Sequence, residues 1–393
     1  MNARVLHIAF NQARKLPPLM AELRSLAREH EQVLLLPDYE QDHGYLARTL
    51  PGVRIVYLPL RSRAHSAAQT PLRKLWRFTE FTLRAIAAVR AIAAVRDERA
   101  NVLVGHDMPA MLPLLPWLLR RRIPVVYHAH ELWSEAAEDN APLRGTWRRL
   151  ERLVSRRARR VVVPEANRAA IVHEEYGAPQ LPVIVRNIPP DPPPYASSDM
   201  LRERFRLDGQ ARIVLYQGLF APTRCLLPLL HAFRQLPPHF HLVLAGEGDP
   251  AYTARILREA EALEGRVHRL PWTPPEELRH VTASADVGVL LYSREGRNNI
   301  YAAPNKLYEY LYAGLPLVSS AFPGLQSLIE GGGYGACAEP EDPRSIAVAI
   351  THAATLPRGK LLAARARAAF RWEDETWKLV EMYREITRRR HAR

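Results

Sequence analysis

The chain has 393 residues, of which 47% are hydrophobic and 24% charged, with a formal net charge of +14. That length exceeds one ordinary core and sets two domains as the expectation for a composition that is soluble and globular. Two cysteines, Cys225 and Cys337, exclude a disulfide or zinc framework and point to a reducing, cytoplasmic setting, while the positive charge asks for an acidic partner such as a nucleotide, an anionic lipid head group or nucleic acid.

The N-terminus, MNARVLHIAF, enters a strand-like run without the successive zones of a signal peptide. In the first half, short β-branched runs alternate with longer helical patterns: VLHIAF, QVLLL, RIVYL, NVLVG, PVVYHAH, RRVVVP and PVIVRN. Such alternation predicts parallel strands with helical crossovers. The segment MPAMLPLLPWLL is too short and too proline-broken to span a bilayer.

A helical segment from Pro71 to Arg99 holds a tandem six-residue repeat starting at Arg84 and Arg90. A step of six spreads Arg84, Arg90 and Arg96 around a helix, so the repeat reads as helix-forming filler rather than a solenoid unit. The segment LRGTWRRLERLVSRRARR, Leu143 to Arg160, places Trp147, Leu150, Leu153 and Val154 at helical spacing among arginines. It fits either a helix lying on an anionic membrane or the solvated basic face of an ordinary crossover helix.

The run PPDPPP, 189–194, breaks both helix and strand and marks a boundary. Beyond it the alternation resumes with RIVLYQG, HLVLAGEG, RVHRL, VGVLLY, LPLVSS and YGACAEP. The expectation is therefore two doubly wound Rossmann-like domains, 1–188 and 189–371, facing a central cleft at the carboxyl ends of their strands. The last segment, 372–393, reads as an amphipathic helix with Trp377, Val380, Met382 and Tyr383 as its contacts and a frayed RRRHAR end.

Position-specific signals cluster in the second half. Pro304 and Gly314 bracket a helix of about nine residues, with Pro304 read as its first residue. Lys306 and Glu309 lie one turn apart near its N-terminus, either as a receptor for an anionic, hydroxyl-rich ligand or as a plain salt bridge. Gly218 follows the strand IVLYQ and Arg224 comes six residues later at the mouth of a helix, a pairing that suits a diphosphate. Gly246, Glu247 and Gly248 close the next strand, and Leu270, Pro271 and Trp272 the third, where backbone groups can meet a flat base. In the first half, His106 and Asp107 end the fourth strand and His128, His130 and Glu131 the fifth, so that three histidines and two acids gather on one rim. A metal is the competing reading of that rim, but no H-E-x-x-H, cysteine pair or aspartate-x-aspartate element supports one, and no metal or cofactor is assigned.

Taken together, YQGLF…R, LVLAGEG, RVHRLPWTPPEELRHVTASADVGVLL, APNKLYEYLYAGLPLVSS and VVYHAHELWSE resemble, over nearly the full length, the retaining nucleotide-sugar glycosyltransferases of family 4 (group 1), whose fold is GT-B. The resemblance implies that the N-terminal domain takes the acceptor, the C-terminal domain takes the nucleotide-sugar donor, and the terminal helix crosses back to the first domain. It gives Glu309 to the ribose hydroxyls, Arg224 to the donor diphosphate and His130 to the transferred sugar. Gly246 and Gly248 match the turn beneath the nucleotide, and Leu270 to Thr273 the segment beside the base; Asn305 falls on the donor side, and His106, Asp107, His128 and Glu131 beside the sugar or acceptor.

Three positions depart from the family pattern. Tyr301 stands where a second glutamate is usual, Leu219 where an arginine usually follows the glycine, and NQARKLPP replaces a glycine pair. Lys306 is expected to restore the missing charge, and the backbone around Ala302 and Ala303 to take over sugar contacts. The implied activity is hexosyl transfer from a uridine or guanosine diphosphate sugar to a glycan or lipid-linked acceptor in surface polysaccharide or glycoconjugate synthesis, at the inner membrane surface. Catalysis is expected to be metal-independent, through His130, Arg224 and Lys306. The alternative is a catalytically impaired nucleotide-sugar-binding or assembly subunit. Nucleic-acid binding needs an aromatic-studded basic groove or a motif that the sequence lacks.

Overall fold

The computed structural model describes residues 3–12, 16–61, 71–94, 100–136, 143–271 and 273–391. Arg96 of the repeat and Trp272 lie outside them. The chain divides into two compact units, Met1–Asn187 with Trp372–Arg393, and Ile188–Arg371.

The first unit carries seven parallel strands, β1 (Arg4–Ala9), β2 (Glu31–Pro37), β3 (Val53–Leu58), β4 (Val102–His106), β5 (Val125–His128), β6 (Arg160–Val163) and β7 (Val183–Ile184), in the order β3-β2-β1-β4-β5-β6-β7. Helices cover both faces of a parallel sheet, so its strands read as nearly continuous apolar runs. Val5, Leu6, Ile8, Leu34, Val102 to Val104 and Val126 are accordingly buried. The register sets Ala9 beside His106 and His106 beside His128, so ordinary strand pairing already gathers histidines at the carboxyl ends next to the β1/β4 switch point.

The terminal helix, Trp372–His391, packs into this unit. Trp372 Nε1 donates to Ser25 Oγ at 2.8 Å, and the Tyr383 hydroxyl to Glu22 Oε1 at 2.9 Å. The fully buried Glu375 accepts from Arg186 N and Nε and from Lys378 Nζ, which satisfies a charge that burial would otherwise penalise. Val380, Met382 and Tyr383 are buried as their spacing implies, but Trp377 is 65% exposed. The inward stripe runs instead through Trp372, Glu375, Leu379, Val380, Met382, Tyr383 and Ile386, and Trp377 falls off it. The helix continues through His391.

The second unit has six parallel strands, β8 (Arg212–Gln217), β9 (Phe240–Ala245), β10 (Val267–Leu270), β11 (Val287–Leu290), β12 (Leu317–Ser320) and β13 (Gly335–Ala338), in the order β10-β9-β8-β11-β12-β13. Val214, Leu242, Leu244, Val289 and Val318 meet Leu229, Phe233, Ile346 and Ile350 from the helices Leu226–Phe233 and Pro343–Ala353 in one core. The switch point lies between β8 and β11. Each unit is thus a doubly wound α/β layer, the pair of Rossmann-like domains of a GT-B fold. Among the described residues, no helix is long and apolar enough to cross a membrane.

Candidate functional site

The donor-side residues of the second unit converge on the carboxyl ends of β8 and β11. β8 ends at Gln217, and Gly218 follows with φ +142°, a conformation that L side chains rarely adopt. A Cβ at Gly218 would overlap Lys306 Nζ, one at Gly246 the carbonyl of Gly218, and one at Gly248 the carbonyl of Phe220. The two loops are therefore in direct backbone contact, with Gly218 N donating to Ala245 O (2.8 Å) and Phe220 N to Glu247 O (2.9 Å). Glycine at these positions supplies space, and at Gly218 and Gly246 also a φ that other residues rarely adopt.

The helix Asn305–Tyr312 starts one residue later than the sequence suggests, with Pro304 as its N-cap and Gly314 at φ +78° just past its end. Leu307, Tyr308, Tyr310, Leu311 and Tyr312 are buried. The Tyr310 hydroxyl accepts from Gln217 N (2.9 Å) and donates to Leu215 O (3.3 Å), which pins this helix to the end of β8.

Lys306 and Glu309 are both half-buried and do not form the plain salt bridge. Glu309 Oε2 instead accepts from Gln217 Nε2 at 2.9 Å, and Gln217 Oε1 accepts from Thr282 Oγ1 at 2.9 Å. Burial pushes the Lys306 ammonium down to about 8, with Glu309 opposing and Arg224 adding to the shift. Burial likewise raises Glu309, with Lys306 and Gln217 acting against it. Arg224 ends the short 3-10 segment Pro222–Arg224, its guanidinium over the Tyr292 ring at 4.6 Å from the centroid. Among the described residues neither Arg224 nor Lys306 has a carboxylate ion-pair partner. Two cations near enough to repel, neither in an ion pair, can hold an anion.

Other donor-side expectations fare differently. Leu270 is buried and its carbonyl accepts from Gly246 N (3.2 Å), so it braces the glycine turn. Glu247 and Pro271 are exposed. The Ala302 amide donates to Asn299 O (3.1 Å), which removes it from the groups available to a sugar. Leu219, in the place of the family arginine, is 53% exposed.

In the first unit His106, His128 and His130 do gather, as nearly buried side chains rather than an open rim. Asp107 begins the helix Asp107–Met111 at φ +64° and its Oδ1 accepts from His130 N (2.9 Å) and Glu131 N (3.3 Å). Burial, with the Glu131 charge, raises Asp107 to about 8. The Glu131 side chain is exposed, apart from the histidines. Arg168 Nη1 donates to His130 O at 2.7 Å, so the backbone of His130 is held on both sides.

Three partners that the sequence reading passed over complete this cluster. His7 lies in mid-β1, Gln32 at the start of β2 and Glu22 on the helix Pro17–Leu26. Glu22 Oε2 is 2.7 Å from His128 Nδ1, and this charge contact, acting against burial, holds the Glu22 carboxyl far below its usual range. The only signal for them was a polar residue inside an apolar run, which distinguishes no partner.

The ligand atoms of His106, His128 and His130 lie within 4.8 Å of one another, a spacing open to a metal. The ring geometry argues against that use. His128 and His130 are stacked, centroids 4.2 Å apart and planes at 19°, whereas a metal lies in the plane of each imidazole that binds it. His106 Nδ1 and His130 Nε2 face each other at 3.0 Å, a hydrogen-bond distance that engages both nitrogens.

Comparison with known proteins places these two units. Residues 13–188 match the glycosyl transferase 4-like domain and residues 211–355 the model of glycosyl transferases group 1. A D-inositol 3-phosphate glycosyltransferase of Xylanimonas cellulosilytica is 31% identical over 217 residues, 52% of this chain and 50% of that protein. The chain thus spans about half the length of the curated relative it matches. Among solved structures, HepE of Anabaena, in complex with UDP and glucose, has a TM-score of 0.74 at 15% identity, over 98% of this chain and 100% of that one. Sucrose-phosphate synthase of Thermosynechococcus elongatus has a TM-score of 0.75 at 19% identity, over 98% and 99%. With both family domains in tandem, each coinciding with one Rossmann-like unit, the chain belongs to the group 1, family 4-type glycosyltransferases of GT-B fold.

Proposed function

We propose that this protein is a retaining glycosyltransferase that moves a hexose from a UDP- or GDP-sugar to a glycan or lipid-linked acceptor in surface polysaccharide or glycoconjugate synthesis. The observation that carries it is the pair of cations near the β8/β11 switch point, Lys306 against Gly218 and Arg224 close enough to repel it, without a carboxylate ion-pair partner among the described residues. Breaking a nucleotide-sugar bond places negative charge on the leaving diphosphate and positive charge on the sugar ring. Fixed cations in a part-buried site stabilise the first without reorganisation. Arg224 and Lys306 supply that charge, so the reading assigns no metal or cofactor. Glu309, which accepts from Gln217 Nε2, is assigned hydrogen bonds from the ribose hydroxyls by family resemblance. His130 serves the transferred sugar by family resemblance. No protein nucleophile is assigned, because the sequence offers no convincing carboxylate pair of the glycosidase type.

Thermal shifts against a panel of nucleotide sugars identify the donor, since a ligand of the folded state raises apparent stability. Arg224→Ala should lower transfer by roughly 100- to 1000-fold, as for loss of one charge-stabilising donor, and should weaken nucleotide binding. Unchanged turnover in that variant sinks the diphosphate assignment.

Leu219 and Tyr301, in place of the family's usual arginine and glutamate, favour a second reading as a binding or assembly subunit. Donor hydrolysis or transfer by the purified protein decides between them.

The first unit also supports a peripheral membrane reading at the cytoplasmic face. An open cavity of about 750 Å³ is lined by Arg121, Arg122, Arg156, Arg157, Arg159 and Arg160 together with Trp117 and Ile386. Of these arginines only Arg160 has an ion-pair partner among the described residues, Glu385. The helix Arg144–Arg157 buries Glu151, Val154 and Ser155, and its basic end lines this cavity. Lipid phosphates suit such a concave cluster of arginines.

A further inference from the structure

The buried histidines form a hydrogen-bonded line whose direction is fixed from one end. Gln32 Nε2 donates to His30 O at 3.0 Å. A carbonyl can only accept, so the amide orientation of Gln32 is set and its Oε1 faces His7 Nε2 at 2.8 Å. That oxygen also only accepts, so His7 Nε2 carries a proton. Burial keeps His7, His106 and His130 below the ordinary histidine value, hence neutral near pH 7, each with one N–H and one lone pair. His7 Nδ1 is then the bare nitrogen and accepts from His106 Nε2–H at 3.0 Å. His106 Nδ1 in turn accepts from His130 Nε2–H at 3.0 Å. Each step leaves one choice, and the last leaves His130 Nδ1 as a lone pair, buried and without a hydrogen-bond partner among the described residues.

We infer that Gln32, acting through His7 and His106, is a positioning residue that holds His130 in its Nε2–H tautomer and presents Nδ1 as a hydrogen-bond acceptor. The line does not conduct protons, because it ends on an amide oxygen that cannot take one up. Its work is orientation: Asp107 and Arg168 hold the backbone of His130, and the line holds the ring. The His128 ring, tied to Glu22, stacks on that of His130 at 4.2 Å. A bare Nδ1 can accept a hydrogen bond from a hydroxyl and cannot donate to an anion, so the group it suits is a donor such as a sugar hydroxyl. That last step, unlike the tautomer, rests on the assignment of His130 to the transferred sugar.

Histidine-selective 15N labelling of the full chain, with long-range 1H–15N correlations, tells a protonated ring nitrogen from a bare one; the His130→Gln spectrum assigns the signal. Wild-type protein should show His130 protonated at Nε2 and bare at Nδ1, and finding the reverse overturns the inference with no variant needed. In Gln32→Leu, folded by its melting curve, the His7 proton loses its acceptor, and His130 should pass to a mixture of tautomers. Transfer should then fall by roughly 10- to 100-fold in kcat, the range seen when a partner orienting a working histidine is lost, with nucleotide affinity unchanged. A single unchanged tautomer in that variant also overturns it. If the tautomer is as stated but His130→Ala transfers sugar normally, the positioning stands and the sugar assignment of His130 fails.

Discussion

Nucleoside diphosphate should bind the second unit more weakly as pH rises above about 8, because the charge that receives it is a destabilised ammonium. Burial lowers Lys306 from 10.5 to about 8, a cost of roughly 3 kcal/mol for carrying the charge at about 1.4 kcal/mol per tenfold change in protonation. A bound diphosphate offsets that burial and returns the lysine toward its ordinary value. Between these two values the complex holds a proton that the free protein has lost, so affinity falls with pH. For a free value near 8 and a bound value near 10.5, the loss is about tenfold between pH 7 and pH 9. Calorimetry at pH 9 in buffers of different ionisation enthalpy should register uptake of about 0.9 proton on binding. Lys306→Arg is the control: guanidinium stays charged throughout, so its affinity keeps only whatever titration the ligand brings. Equal pH slopes in wild type and variant, with no extra proton taken up by wild type, would refute the placement of Lys306 against the diphosphate.

Three further outcomes follow from the same geometry. Gly218→Ala should cost about 1–3 kcal/mol in denaturant unfolding, from a Cβ at φ +142°, and should weaken nucleotide binding by displacing Lys306; normal affinity would show that the lysine does not need that space. Asp107, raised to about 8, favours folding while protonated, so its contribution is complete below its unfolded value of 3.8 and is lost as pH rises to about 8. Relative to wild type, Asp107→Asn should therefore gain stability, on the order of a few kcal/mol, between pH 5 and pH 8.5 in urea melts, and parallel curves would contradict this. Neutralising Arg156, Arg157 and Arg159 should reduce sedimentation with anionic vesicles and flatten its salt dependence; sedimentation indifferent to both salt and these changes would refute the electrostatic reading of the cavity.

Every strand of both sheets was legible in the chain, because a parallel strand buried on both faces must be a short run of apolar, largely β-branched residues, and nothing else between helical patterns looks like that. The paired signals around Gly218, Arg224 and the helix opening at Asn305 were legible for a related reason: tight turns and helix ends demand particular residue types locally. Sequence alone therefore determined two doubly wound units and brought forward Gly218, Arg224 and Lys306 as candidates to receive a diphosphate. What Lys306 and Glu309 actually touch was decided only by the fold. An i,i+3 spacing is compatible with a salt bridge, yet Gln217, 92 residues away in sequence, takes Glu309 and leaves the lysine beside a glycine. The same holds for Trp377, whose hydrophobicity said nothing about which side of its helix would face inward. The histidine line is the clearest case, since His7, Gln32, His106 and His130 come from four separate stretches and only strand register and loop geometry bring them within hydrogen-bond reach. Residue types state which hydrogen bonds are available, and only tertiary structure decides which of them are made.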